Sequence, residues 1–296
     1  YRPGAFDALG LGYRDLSALN PRLIYCSISA FGANGPRGGQ TAYDVVIQAT
    51  SGLMAATGTE AVNPVRIGSP VVDYATGTAG AFAMASALFQ RERTGRGQHI
   101  DLAMADVAKI LMGAQITSYS YGRHHPHPMG NRHFSATIGC YDTKDGLLML
   151  AAANHRQQVR LWQALGRPDM IKTDEGEKLA ARRAETEVLE AIFPTRTAAE
   201  WEEFLQARHV PAGRVRDLVD SLADPQQQAR GTLHHHAPCA GVDHEFTVPV
   251  AAFQLAEGSP AIDTPPHQHG ADTDAVLAEL GLSAGEIGAL RTAGAI

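Results

Sequence analysis

Apolar and polar positions alternate along the chain in blocks whose spacing changes between helix and strand. Leu9 to Leu19 carries a short helical pattern. Asn20-Pro21 stops it before LIYCSISAFG, an apolar run that reads as a strand. A turn-rich loop from Gly32 to Gly39 leads into Tyr43–Met54, with Gly52 and Gly58 as breaks. Ile67 to Val72 reads as a buried strand or loop. Ala75 to Leu88, built from small residues with no charge, reads as a thin helix able to approach other backbone closely. His99 to Leu102 reads as another strand and Met104 to Tyr121 as a helix. The stretch GRHHPHPMGNRH, rich in Pro, Gly and His, is the best boundary. Beyond it IGCYDTKDGLLMLAAA predicts two strands joined by a turn at Thr143–Gly146. Helical patterns follow over Gln157–Leu165, Glu175–Ile192 and Ala198–Ala207, the last with Trp201, Phe204 and Leu205 as a core stripe. Val210–Val215 is apolar and turn-like, Leu218–Leu222 a short helix, 232–250 a strand pair and 274–290 a closing helix pair. Strands alternating with helices in the first 120 residues predict a wound α/β domain, and the middle a separate α+β unit.

Composition narrows the function classes. With 296 residues, 44% hydrophobic and 19% charged, the chain can bury a sizeable core and fits a soluble protein of two domains. A formal charge of −6 offers no basic face to nucleic acid, while a local arginine patch or helix start can still hold a small anion. Cys26, Cys140 and Cys239 are odd in number and form no CxxC pair, so a disulfide framework is not expected and a reducing cytoplasm is. No apolar run reaches the roughly 18 residues of a membrane span. Tyr rather than Met stands at position 1, so an N-terminal part is expected to be missing. His124, His125, His127 and His133, or His234 to His236, raise the idea of a metal site. No carboxylate stands at matched spacing, so they read as loop histidines and no metal is expected. GxGxxG, GxxxxGK[ST] and GxSxG are all absent.

Asp73 is the first candidate for chemistry, because it stands at the mouth of the small-residue helix. The residue can equally cap that helix by accepting its free N–H groups. At the other end Arg91, Arg93 and Arg96 gather around two glycines in RERTGRGQ, which suits either a solvated connection or the phosphates of a ligand.

Several motifs in order carry a resemblance: YRPGAFDALGLGY with LNPRLIYCSISAFG, AYDVVIQATSG, PVVDYATGTAGAFAMASAL, RTGRGQHIDLAM, MGNRH, YDTKDG and the closing GADTDAVLAELGLSAGEIGALRTAGAI. Together they resemble the family III CoA-transferases, the CaiB/BaiF group, which includes formyl-CoA and carnitine CoA-transferases and α-methylacyl-CoA racemases. The resemblance implies a large α/β domain, here 1–130 with 247–296, and a small inserted α+β domain over 131–246. It also implies two chains interlocked as rings in a homodimer, and a longer N-terminal part than is present here.

For the site, the resemblance implies that Asp73 attacks an acyl-CoA thioester to give an aspartyl acyl anhydride and then an aspartyl-CoA thioester. Backbone N–H groups near Asp73 and Gly77 become oxyanion donors, and Gln48 and Gly77 oxyanion-stabilising or substrate-positioning groups. Arg2, Arg93 and Arg96 become candidate CoA contacts. Coenzyme A is then a substrate, with no tightly bound cofactor, and the partners are a second copy, an acyl-CoA and a small carboxylic acid. Family racemases carry GHD where this chain has AYD, so Tyr43 stands in the place of their histidine. A phenol with an ordinary pKa of about 10 is a poor base at neutral pH, which favours transfer over racemisation. GNRHFSATIG lacks the successive glycines of formyl-CoA transferases, so formyl or oxalyl transfer loses that support and a larger carboxylate, such as a dicarboxylic or branched acid, is allowed. A noncatalytic homologue is the remaining alternative.

Overall fold

The computed structural model describes residues 2–239 and 241–296, in two compact units, Tyr1–Gly213 and Arg214–Ile296. In the first unit α1 (Tyr13–Leu19) leads to β1 (Ile24–Ser29). Then α2 (Asp44–Ser51), α3 (Leu53–Ala56) and α4 (Val71–Thr94) intervene before β2 (Gln98–Ala103). β1 and β2 pair in parallel, with Tyr25 opposite His99 and Ser27 opposite Asp101. A hairpin cannot join parallel strands, so these three helices form the crossover. α5 (Met104–Leu111) and α6 (Gly113–Gly122) follow.

Ile47, Leu53, Val72, Ala108 and Met112 form the core under this crossover. The small-residue run of α4 serves close packing at Gly80, where an added Cβ would lie 3.1 Å from Leu102 Cδ2 and 3.9 Å from Ile28 Cδ1. A side chain there would force the tip of Leu102 to give way by a few tenths of an ångström. α4 ends at Gly95, whose φ of 71° lets its N–H turn back to the Arg91 carbonyl at 2.8 Å.

A second core begins beyond the Pro/His-rich stretch. β3 (Ile138–Asp142) and β4 (Leu147–Ala151) pair antiparallel, followed by α7 (His155–Ala164), α8 (Glu175–Ile192), α9 (Ala198–Gln206) and β5 (Ala212–Arg214), with strand order β3-β4-β5. Tyr141, Leu148, Leu150, Trp162, Phe193 and Trp201 fill it, each contributing about 1.5–3 kcal/mol or more through burial. Trp201 also satisfies its one polar atom, donating from Nε1 to the Phe193 carbonyl at 2.8 Å.

The second unit holds α10 (Leu218–Leu222), α11 (Pro225–Arg230), the antiparallel pair β6 (Leu233–His236) and β7 (Phe246–Pro249), and the closing helices α12 (Thr273–Glu279) and α13 (Ala284–Thr292). The fold class is α/β, as the pattern predicts. No helix among the described residues is long and apolar enough to cross a membrane.

Three local readings are settled or changed. Of the two readings of Ile67–Val72, strand or loop, the loop holds as far as Pro70 and α4 starts at Val71, so β1 and β2 are the only named strands among the described residues before 120. The helix expected over Met104–Tyr121 is two, because Met112 leaves helical geometry (ψ 11°) while its side chain stays in the core. The turn-like Val210–Val215 contains β5, which follows the wholly buried Val210.

Candidate active site

Helix α4 begins badly by its own sequence. Its N-cap is Pro70, which has no side-chain acceptor for the amides of the first turn. The acceptor comes from another helix. Asp44, the first residue of α2, takes the Val72 N–H at 2.7 Å and the Asp73 N–H at 3.1 Å on Oδ2. Its Oδ1 receives the carboxamide of Gln48, whose Oε1 in turn accepts the Ile67 N–H at 2.9 Å. Asp44 is 4% exposed and Gln48 fully buried, so a charge sits in the interior with both oxygens engaged and the positive end of α4 against it.

This arrangement decides what Asp73 does not do. Asp73, third residue of α4, is exposed, and among the described residues its carboxylate has no hydrogen-bond or ion-pair partner. Capping belongs to Asp44. Tyr43 precedes Asp44 as the N-cap of α2 and is 83% exposed. The Asp44 carboxylate therefore ties the backbone beside Tyr43 to the backbone of Asp73, and the two residues singled out from sequence meet through a residue that sequence reasoning passed over. A signal for it existed: a helix opened by proline needs an acceptor from elsewhere, and AYD supplies a carboxylate next to Tyr43.

The amides that were candidates for an oxyanion hole are occupied. Val71 donates to the Ser69 carbonyl at 2.8 Å, Val72 and Asp73 to Asp44, and Tyr74 to the Pro70 carbonyl at 3.2 Å. Gly77 lies past the first turn, where helix amides bond within the helix. It offers instead a bare face, with nothing within 4 Å of a built Cβ. Gln48 reaches the site only through Asp44.

Arg93 and Arg96 lie at the other end of α4 and just beyond it. Twenty residues of helix at about 1.5 Å each put Arg93 about 30 Å from Asp73. The Arg93 guanidinium rests 4.3 Å over the Phe89 ring. Arg2 lines a different place, a cavity of about 590 Å³ beside β1 and β2. Tyr13, Tyr25 and His99 give it an aromatic wall, with the Tyr13 and His99 rings stacked at 5.3 Å and Tyr25 edge-on to His99 at 5.6 Å. His99 Nε2 lies 2.9 Å from Ser27 Oγ, a pairing that follows from the parallel register. Burial pushes the Cys26 thiol in this wall above its ordinary value, so it is a poor thiolate nucleophile.

The model of CoA-transferase family III matches residues 1–273. Succinate–glutarate CoA-transferase from Agrobacterium fabrum is 36% identical over 230 residues, covering 75% of this chain and 57% of the relative. Acetyl-CoA:oxalate CoA-transferase from Acetobacter aceti is 33% identical over 239 residues, covering 79% and 61%. The crystal structure of a CAIB/BAIF family protein from Brucella suis matches with a TM-score of 0.78 at 32% identity, covering 95% of this chain and 74% of that one. The chain thus spans 57% and 61% of the length of these two curated relatives.

Proposed function

The chain belongs to CoA-transferase family III, and from that membership we propose that it moves CoA between an acyl-CoA and a small carboxylic acid, with Asp73 as nucleophile. One observation carries the assignment: Asp44 caps α4, which leaves the Asp73 carboxylate exposed and without a partner among the described residues. A carboxylate oxygen of Asp73 attacks the thioester carbon, the C–S bond breaks, and CoA leaves as thiolate, giving a mixed anhydride. The thiolate then attacks the Asp73 carbonyl of that anhydride, releasing the first acid and forming an aspartyl-CoA thioester. The acceptor carboxylate attacks this thioester, and the returning thiolate takes the acceptor acyl group and frees Asp73. Overall one thioester replaces another of similar free energy, with each anhydride as a more activated intermediate consumed by the returning thiolate. With the amides of α4 occupied, the exposed Tyr43 phenol is the proposed donor to the developing oxyanions, and Gln48 is a positioning residue acting on Asp44.

The Arg2-lined cavity suits the nucleotide end of CoA, since its aromatic wall can stack on a purine and its arginine face a phosphate. The succinate and glutarate of the Agrobacterium fabrum relative's name support a dicarboxylic acceptor larger than oxalate. The same proposal includes the interlocked homodimer and the partition 1–130, 131–246 and 247–296; exposed Tyr74, Phe82 and Phe89 on α4 and Ile110 on α5 support a covered face.

Incubation with a 2-methylacyl-CoA in D₂O tests transfer against racemisation. Without acceptor acid, neither deuterium uptake at C2 nor optical inversion is expected, and CoA should move once succinate or glutarate is added. Rapid C2 exchange without acceptor would overturn the transferase reading and make Asp73 a general base.

A further inference from the structure

Asp73 is the third residue of α4, where an acid side chain ordinarily folds back onto the N–H of the N-cap residue or is drawn to the free amides of the first turn. Among the described residues each of those donors is withheld from it. The N-cap is Pro70, whose ring leaves no N–H to give. Val71 donates to the Ser69 carbonyl at 2.8 Å, because Pro70, at φ −72° and ψ 66°, is the centre of an inverse γ-turn. Val72 and Asp73 donate to Asp44, and Tyr74 to the Pro70 carbonyl at 3.2 Å.

Pro70 is exposed and stands outside the core cluster that takes in Ile67, Val71 and Val72. Its ring therefore does not fill the interior, and as an N-cap it gives α4 no side-chain acceptor. A serine in its place would supply both halves of a capping box, its Oγ to the first turn and its N–H to the acid three residues on, in the order Ser-x-x-Asp. That box would favour the helix and occupy the Asp73 carboxylate. The sequence SPVVD has its serine one residue too early to form it.

We propose that Pro70 is a positioning residue of the transfer site, which keeps the Asp73 carboxylate free to attack the thioester by denying it the N-cap amide. The inference rests on the reading of Asp73 as nucleophile. It assigns to the proline what Asp44 alone does not supply, since Asp44 occupies the second and third amides of α4 and leaves the N-cap position open. A carboxylate that accepts a backbone N–H shares a lone pair with that donor, and attack on the thioester must first break the bond. One hydrogen bond of ordinary net strength then slows the attack about fivefold.

Single-turnover formation of the Asp73 adduct on the full chain with saturating succinyl-CoA tests this in two variants: Pro70→Ala, which restores the N–H alone, and Pro70→Ser, which restores the N–H and adds an acceptor. Both are expected to form the adduct at least about fivefold more slowly than the wild type, while melting within about 4 °C of it. Amide hydrogen exchange reads the bond itself: the new N–H at position 70 should exchange at least about fivefold more slowly in Pro70→Ala than in Pro70→Ala/Asp73→Ala. Adduct formation at the wild-type rate in both variants, or exchange at position 70 that is indifferent to Asp73, would overturn the proposal. A slower rate that comes with a larger fall in melting temperature and no protection at position 70 would give Pro70 to the fold alone and overturn it as well. Absence of an Asp73 adduct in the wild type while transfer proceeds would overturn the nucleophile reading and this inference with it, whereas a wild-type adduct with unslowed variants removes this inference only.

Discussion

Replacing Asp44 with alanine removes the acceptor of two α4 amides and one of the two partners of the buried Gln48 carboxamide. Each donor left without a partner costs about 1–3 kcal/mol where water cannot reach it; an N-cap alone is worth about 0.5–2 kcal/mol. Three donors lose their acceptor, and because the Asp73 amide is nearer the surface than that of the wholly buried Val72 or the buried Gln48 carboxamide, the costs are unequal and the expected total is about 3–6 kcal/mol. In a unit of this size that lowers the melting temperature by roughly 6–24 °C. Asp73→Ala, in contrast, removes a surface carboxylate that caps nothing and should change stability by about 0.5 kcal/mol or less. Urea unfolding of both variants, with amide hydrogen exchange at Val72 and Asp73, checks the contrast. The reasoning fails if Asp44→Ala unfolds like the wild type, or if Asp73→Ala is the more destabilised of the two.

Leu205→Ala, at a fully buried position of the second core, should cost about 2–5 kcal/mol in the same unfolding assay. His236 is 7% exposed and stacks on Phe246 at 4.8 Å; burial and then the neighbouring His234 hold its pKa below the ordinary 6.5. The unfolded chain therefore binds the proton more readily, so stability is full above pH 6.5 and declines as pH falls from there through the lower folded value. His236→Phe should flatten that decline in thermal melts taken from pH 7.5 to 5. Light scattering should give a dimer whose mass does not fall on dilution, and a folded monomer would remove the interlocked assembly from the account.

Much of the fold was legible because local pattern and tertiary need agree. The uncharged run after Asp73 is helical, and at Gly80 its smallness lets Leu102 of β2 sit close against the helix. The hairpin at Thr143–Gly146 and the Trp201 stripe followed from turn chemistry and spacing in the same way. What sequence could not give were the long-range hydrogen bonds. The proline that opens α4 signals a need for an outside acceptor, but nothing local singles out Asp44, 28 residues before Val72, as that acceptor, nor shows that the parallel register brings His99 to Ser27. The stretch Ile67–Val72 stays open between strand and loop in sequence because its apolar residues bury against the core from a loop and a helix start, where a strand of that length would present the same composition. From sequence Asp73 reads equally as cap or as chemistry, because the residue that caps α4 lies 28 positions before Val72.

The most direct measurement is mass spectrometry of the protein incubated with succinyl-CoA and digested after rapid acid quench. The account predicts a covalent adduct, acyl or CoA thioester, on the peptide carrying Asp73, converted by hydroxylamine to the hydroxamate of Asp73 and absent in Asp73→Ala. An adduct mapped to any other residue while transfer proceeds, or full transfer activity in Asp73→Ala, would contradict it.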